Sequence, residues 1–122
     1  MTIRSIDKFI ESLTDWAILD GCFDNTMIRP SDIAGFVERN GVCLFLEGKG
    51  LNASLTQGQA IAFKALAAQG NTVIVFWGHG KDIRKMRIIT AQDSGVVQAA
   101  NLQNLRDSVS AWYVAANARK RT

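Results

Sequence analysis

"RPSDIAGFVERNGVCLFLEGKG", Arg29 to Gly50, is the stretch on which the fold turns. Two short apolar runs, DIAGFVE and VCLFLEGK, flank ERNG, and that arrangement reads as a β-hairpin with its turn. Side chains alternate along a strand, so Glu47 and Lys49 point to one face. If Arg39 and Asn40 are the central turn pair, Asp32 stands opposite Glu47. If Asn40 and Gly41 are the pair, it stands opposite Lys49. In both registers Asp32 shares the face of Glu47 and Lys49, with directly opposed Cβ atoms roughly 4.5–5.5 Å apart and diagonal ones about 7–8 Å. A turn of odd length would break this arrangement.

Outward from the hairpin, the pattern alternates between the two secondary-structure periods. SIDKFIESLTDWAILDG opens with Ser5 as a cap, repeats Ile6, Phe9, Ile10, Leu13, Trp16 and Ala17 at helical spacing, and stops at Gly21. Residues 22–30 form a loop holding the single proline, Pro30. LTQGQAIAFKALAAQG predicts a helix ending at Gly70, TVIVFWG a buried strand, and KMRIIT a further strand. Asp93 or Ser94 is positioned to cap a last helix, whose apolar stripe is Leu102, Leu105, Val109, Trp112 and Ala116. The expected order is α-β-β-β-α-β-β-α, the third strand of the first group being the weakest in pattern. That order implies an α/β fold, a mixed central sheet flanked by helices, as one domain over residues 1–122.

Composition narrows the chemistry. The chain has 122 residues, 48% hydrophobic and 20% charged, which suits a globular domain with a true core. No apolar run approaches the ~18–20 residues of a membrane span. The N-terminal segment is amphipathic and carries Asp7 and Glu11, so no export signal and a cytoplasmic location are expected. Cys22 and Cys43 make neither a disulfide framework nor a zinc site, and His79 is the one histidine, so any metal should be a hard one held by oxygen. Net charge is +3. Lys81, Arg84, Lys85 and Arg87 form a short basic run suited either to solvent or to phosphate.

The hairpin's open end therefore gathers two carboxylates and an ammonium group. Carboxylates that close repel unless a cation neutralises them. Mg²⁺ does so, taking one or two carboxylates together with waters and phosphate oxygens. A lysine beside it can orient or deprotonate water, which completes the equipment for phosphodiester hydrolysis.

PSD at 30–32, LFLEGKG at 44–50, LTQGQ at 55–59 and LAAQGNTVIVFW at 66–77 resemble the PD-(D/E)XK nuclease superfamily, in particular its small VRR-NUC and Holliday-junction-resolvase-like members. The shared pattern is an Asp before one strand, Glu-x-Lys ending the next, a glutamine opening the helix behind it, and a glycine leading into a buried strand. The resemblance covers roughly residues 28–77. It implies a restriction-endonuclease-like sheet and a DNA nuclease using Mg²⁺ or Mn²⁺, which leaves a 5′-phosphate and a 3′-hydroxyl. It makes Asp32, Glu47 and the main-chain carbonyl of Gly48 metal ligands, with Glu11 as a possible extra acid. Lys49 positions the attacking water, and Gln59 supports the site. Lys81, Arg84, Lys85 and Arg87 would hold the DNA backbone, and a homodimer is the analogous state for cutting junctions. A small chain of this kind suits a phage or mobile element.

Two departures, Ser31 between Pro30 and Asp32 and Gly48 in the middle of Glu-x-Lys, motivate the alternative: a catalytically silent member of the fold that binds nucleic acid or a protein. Individual residues also have plain structural readings. Asp32 and Lys49 suit a cross-strand salt bridge. Thr56 and Gln59 suit a capping box. Glu11 suits a solvated helix face, and His79 an ordinary loop. Trp16, Trp77 and Trp112 suit a core, and Cys43, on the face of Phe45, a buried inert position.

Overall fold

The structure is a computed structural model that describes residues 14–121. It divides into two compact units, Met1–Asp32 and Ile33–Thr122.

The second unit begins with the hairpin. Asn40 and Gly41 both adopt left-handed backbone, φ +52° and +90°, which is what a two-residue type I′ turn requires. This selects the Asn40–Gly41 register. Strand β1, Gly35–Arg39, pairs antiparallel with β2, Val42–Lys49, from Arg39↔Val42 to Gly35↔Leu46. β1 is three residues shorter at its start than DIAGFVE suggested.

Helix α1, Gln57–Ala68, starts on a capping box: the Thr56 side chain accepts from Gln59 N, and the Gln59 side chain accepts from Thr56 N. Its chain returns at Gly70 into β3, Thr72–His79, which lies parallel to β2. β3 is the centre of the sheet and is covered on both faces, with Val73, Ile74 and Val75 at most 1% exposed. That is why TVIVFW shows no alternation. β4, Asp82–Ile89, turns back antiparallel to β3, with a bulge between Trp77 and Gly78. Gly78 is required there, since a Cβ on it would lie 2.1 Å from the carbonyl oxygen of Asp82. A two-residue strand β5, Gln98–Ala99, pairs with β4. The five strands stand in chain order, β1-β2-β3-β4-β5.

The two helices take opposite faces. Phe63 and Ala67 of α1 pack on Val73, Val75, Trp77 and Ile89, with Phe45 at the margin. Helix α2, Leu102–Asn117, covers the other face, where Leu46 and Phe76 meet Leu105 and Val109 around a hollow of ≈ 380 Å³. The turn ties this helix down. Asn40 Nδ2 donates to the carbonyls of Ala116, Asn117 and Arg119 at 3.2, 3.4 and 3.0 Å, satisfying orphan acceptors at the helix C-terminus. Beside it, Arg121 bonds the Glu38 carboxylate at 2.9 Å and holds its pKa below the usual carboxylate value.

Three expectations change. No third strand forms before α1, because residues 50–56 run as a turn and an extended loop, and the additional strand is instead the short β5. The last helix is capped by Asn101 rather than Asp93 or Ser94. Asp93 closes a turn with Thr90 instead: its carbonyl accepts from Thr90 N at 2.8 Å, and its carboxylate accepts from Gly95 N at 2.7 Å. In the first unit the expected helix is not continuous to Gly21. Asp15 is extended and its carboxylate accepts from Ala17 N at 3.0 Å, which starts a 3-10 turn, Trp16–Leu19. Ser5 to Leu13, Glu11 among them, lie outside the described residues. Among the described residues no helix is long and apolar enough to cross a membrane.

Candidate active site

The registers of β2, β3 and β4 assemble the site on the α1 face. Glu47 pairs with Val75, and Val75 with Arg87. One step along, Lys49 pairs with Trp77, and Trp77 with Lys85. Paired residues share a face, so these two rows place Glu47, Lys49, Lys85 and Arg87 together. Neighbouring positions in a row are about 4.8 Å apart, and the rows lie about 6.6 Å apart.

Lys49 is held from the helix. Its Nζ donates to Gln59 Oε1 at 2.7 Å, and the same oxygen accepts from Thr56 N at 3.3 Å. The capping box and the support of Lys49 are thus one arrangement, and the structural and functional readings of Gln59 coincide. Glu47, half-buried, keeps its Oε2 out of solvent with no hydrogen-bond partner among the described residues. A buried carboxylate oxygen without a partner suits a ligand that brings positive charge or a donor. No group of three or more His, Cys, Asp or Glu with metal-holding geometry occurs among the described residues.

Gly48, between them, turns to the opposite face. A Cβ there would stand 3.1 and 3.2 Å from two carbons of the Phe76 ring. The glycine in Glu-Gly-Lys therefore makes room for the packing of Phe76 under α2, an explanation that needs no loss of function. Asp32 is an exposed residue of the first unit, where it accepts a hydrogen bond from Trp16 Nε1 at 3.0 Å. The β1–β2 ladder ends at Gly35↔Leu46, so the expected cross-strand pairing of Asp32 with Glu47 or Lys49 is not part of it.

The basic run divides. Lys85 and Arg87 belong to the α1 face. Arg84 alternates to the other face and forms a two-bond ion pair with Asp82, both bonds 3.0 Å, which holds the Asp82 carboxyl below the usual range. Lys81 is exposed in the β3–β4 turn. His79 is not in a loop, as its sequence context suggested, but ends β3, exposed, beside Gly50. Next to the rows lies a hollow of ≈ 290 Å³ lined by Ala53, Ser54, Leu55, Trp77, Lys85, Arg87 and Val97. Trp77 Nε1 donates to the Ala53 carbonyl at 2.8 Å and holds the loop over it. Sequence reasoning missed this hollow. The two-residue spacing of Lys85 and Arg87 signalled a shared face, but not which one.

Comparison with protein-family models, with curated proteins and with solved structures finds no match.

Proposed function

We propose that the chain is a Mg²⁺-dependent deoxyribonuclease with a restriction-endonuclease-like arrangement of hairpin, crossover helix and parallel strand. The observation that carries the reading is the buried Oε2 of Glu47, without a partner among the described residues, on the same face as Lys49, whose ammonium group is oriented by Gln59. Glu47 Oε2 and, as the resemblance implies, the Gly48 carbonyl would hold Mg²⁺ or Mn²⁺, which when bound supplies Lewis acidity and neutralises phosphate charge. Lys49 orients the attacking water toward the phosphorus and offers positive charge to the developing oxyanion. Gln59 keeps that ammonium group in place by accepting one of its protons. Lys85 and Arg87 hold the backbone through charge rather than base identity, so affinity should fall with salt. Asp32, of the first unit, is named a ligand by the resemblance alone, and the proposal does not rest on it.

The test is purified protein with Mg²⁺ or Mn²⁺, or with EDTA, against branched and linear DNAs, beside Lys49→Ala. Metal-dependent cutting by the parent and none by the variant is expected. No cutting by the parent, or equal cutting by both, sinks the proposal. One observation favours a second reading, a silent module that binds nucleic acid: the two rows hold one carboxylate, Glu47, against three cations, Lys49, Lys85 and Arg87. Salt-sensitive DNA binding without cleavage would select it.

A further inference from the structure

We infer that the hollow beside Trp77 binds the phosphate monoester at the end of a nucleic-acid strand; this rests on the nucleic-acid role of the α1 face proposed above. The hollow is preorganised. The Trp77 indole fixes the loop at Ala53, and Arg87 Nε donates to the Ser94 carbonyl at 2.9 Å. That second bond orients the guanidinium group and leaves its terminal nitrogens with no partner among the described residues. Among the described residues Lys85 forms no ion pair and no carboxylate lines the hollow. Two unneutralised cations on one small cavity match a dianion. A terminal phosphate monoester is one near neutral pH, whereas an internal diester carries a single charge. The planar fork of arginine also fits phosphate oxygens with two bonds.

Size agrees with this ligand. At ≈ 290 Å³ the hollow is at the small end of ligand sites, with room for a phosphate and its sugar. Leu55 and Val97 supply apolar walls for the sugar. Position agrees as well. Lys85 is two strands from Lys49, about 10 Å at the usual strand spacing. A strand end seated in the hollow would therefore keep the first few phosphates of that strand within reach of Lys49.

The experiment measures binding of a short labelled strand with 5′-phosphate, 3′-phosphate or hydroxyl ends, by fluorescence anisotropy in EDTA, so that nothing is cut. The parent should prefer one phosphorylated end by about tenfold, the lower end of what a hydrogen bond to a charged group contributes. Inorganic phosphate should compete that preference away. In Lys85→Gln and Arg87→Gln the ratio of the two affinities should fall toward one, whatever the absolute affinity, and Arg87→Lys should keep part of it. Equal affinity of the parent for phosphorylated and hydroxyl ends overturns the inference without touching the nuclease reading. So does a preference that survives in folded variants of both residues. Failure to bind any of the strands overturns the nucleic-acid role of the face, and this inference with it.

Discussion

Replacing Glu47 by glutamine keeps the side chain's shape and removes its charge. Oε2 of Glu47 is buried without a partner among the described residues. An unpaired buried polar atom costs about 1–3 kcal/mol and more when charged, so the neutral amide of glutamine keeps part of that cost and sheds the excess due to charge. Opposing that cost is the attraction of Glu47 for Lys49, two residues along, and for Arg87, two strands across. At about 7 and 10 Å with water-like screening these contribute about 0.6 and 0.4 kcal/mol. The unpaired charge is the larger effect. Glu47→Gln should therefore stabilise the metal-free protein by about 1 kcal/mol, a rise in Tm of about 4 °C for a chain of this size. Metal reverses the ranking. Mg²⁺ at a hundredfold excess over its Kd stabilises the parent by about 2.7 kcal/mol, and the variant, lacking the ligand, should hardly respond. Scanning calorimetry of both proteins in EDTA and in Mg²⁺ gives the four temperatures needed. A clear loss of stability in the EDTA sample of Glu47→Gln would show that the carboxylate has a favourable partner and refute the unpaired-acceptor argument. A parent unmoved by both Mg²⁺ and Mn²⁺ would refute the metal site.

Lys49→Ala should abolish metal-dependent cleavage yet shift stability by less than about 1 kcal/mol, since Lys49 ends a strand; activity and urea unfolding read the two effects separately. Asn40→Ala removes the cap on α2 and places a side chain less tolerant than asparagine at φ +52°, so urea unfolding should show a loss of about 1–2 kcal/mol. Gly78→Ala should cost more than about 2 kcal/mol, because the new methyl group overlaps the Asp82 carbonyl at the bulge, and a variant that melts like the parent would disprove that geometry. Cys22 is exposed and Cys43 half-buried, both free. A thiol reagent should label Cys22 at once in the native protein and Cys43 slowly, with both titrating after denaturation.

Local chemistry was enough to place several elements from the sequence. VCLFLEGK is β2 from its first residue to its last, and Thr56 with Gln59 begins α1, because a cap and its reciprocal bond lie within four residues of chain. The unalternating run TVIVFW marked the strand covered on both faces, and the stripe from Leu102 to Ala116 marked the buried side of α2. Where several local solutions compete, sequence could not choose. Asp93 and Ser94 are good caps, yet Asp93 is engaged by a turn with Thr90 and Asn101 caps the helix instead. Turn chemistry allowed two hairpin registers, and the one formed begins its ladder at Gly35, leaving Asp32 outside it. The role of Gly48 depends on Phe76, twenty-eight residues away, whose ring occupies the space of a Cβ. The face on which Lys85 and Arg87 stand depends on the bulge at Gly78 and the pairing of β4 with β3. Alternation along a strand is a property of neighbouring residues, but the face a residue joins is set by hydrogen bonds to other strands, and only the assembled sheet decides those.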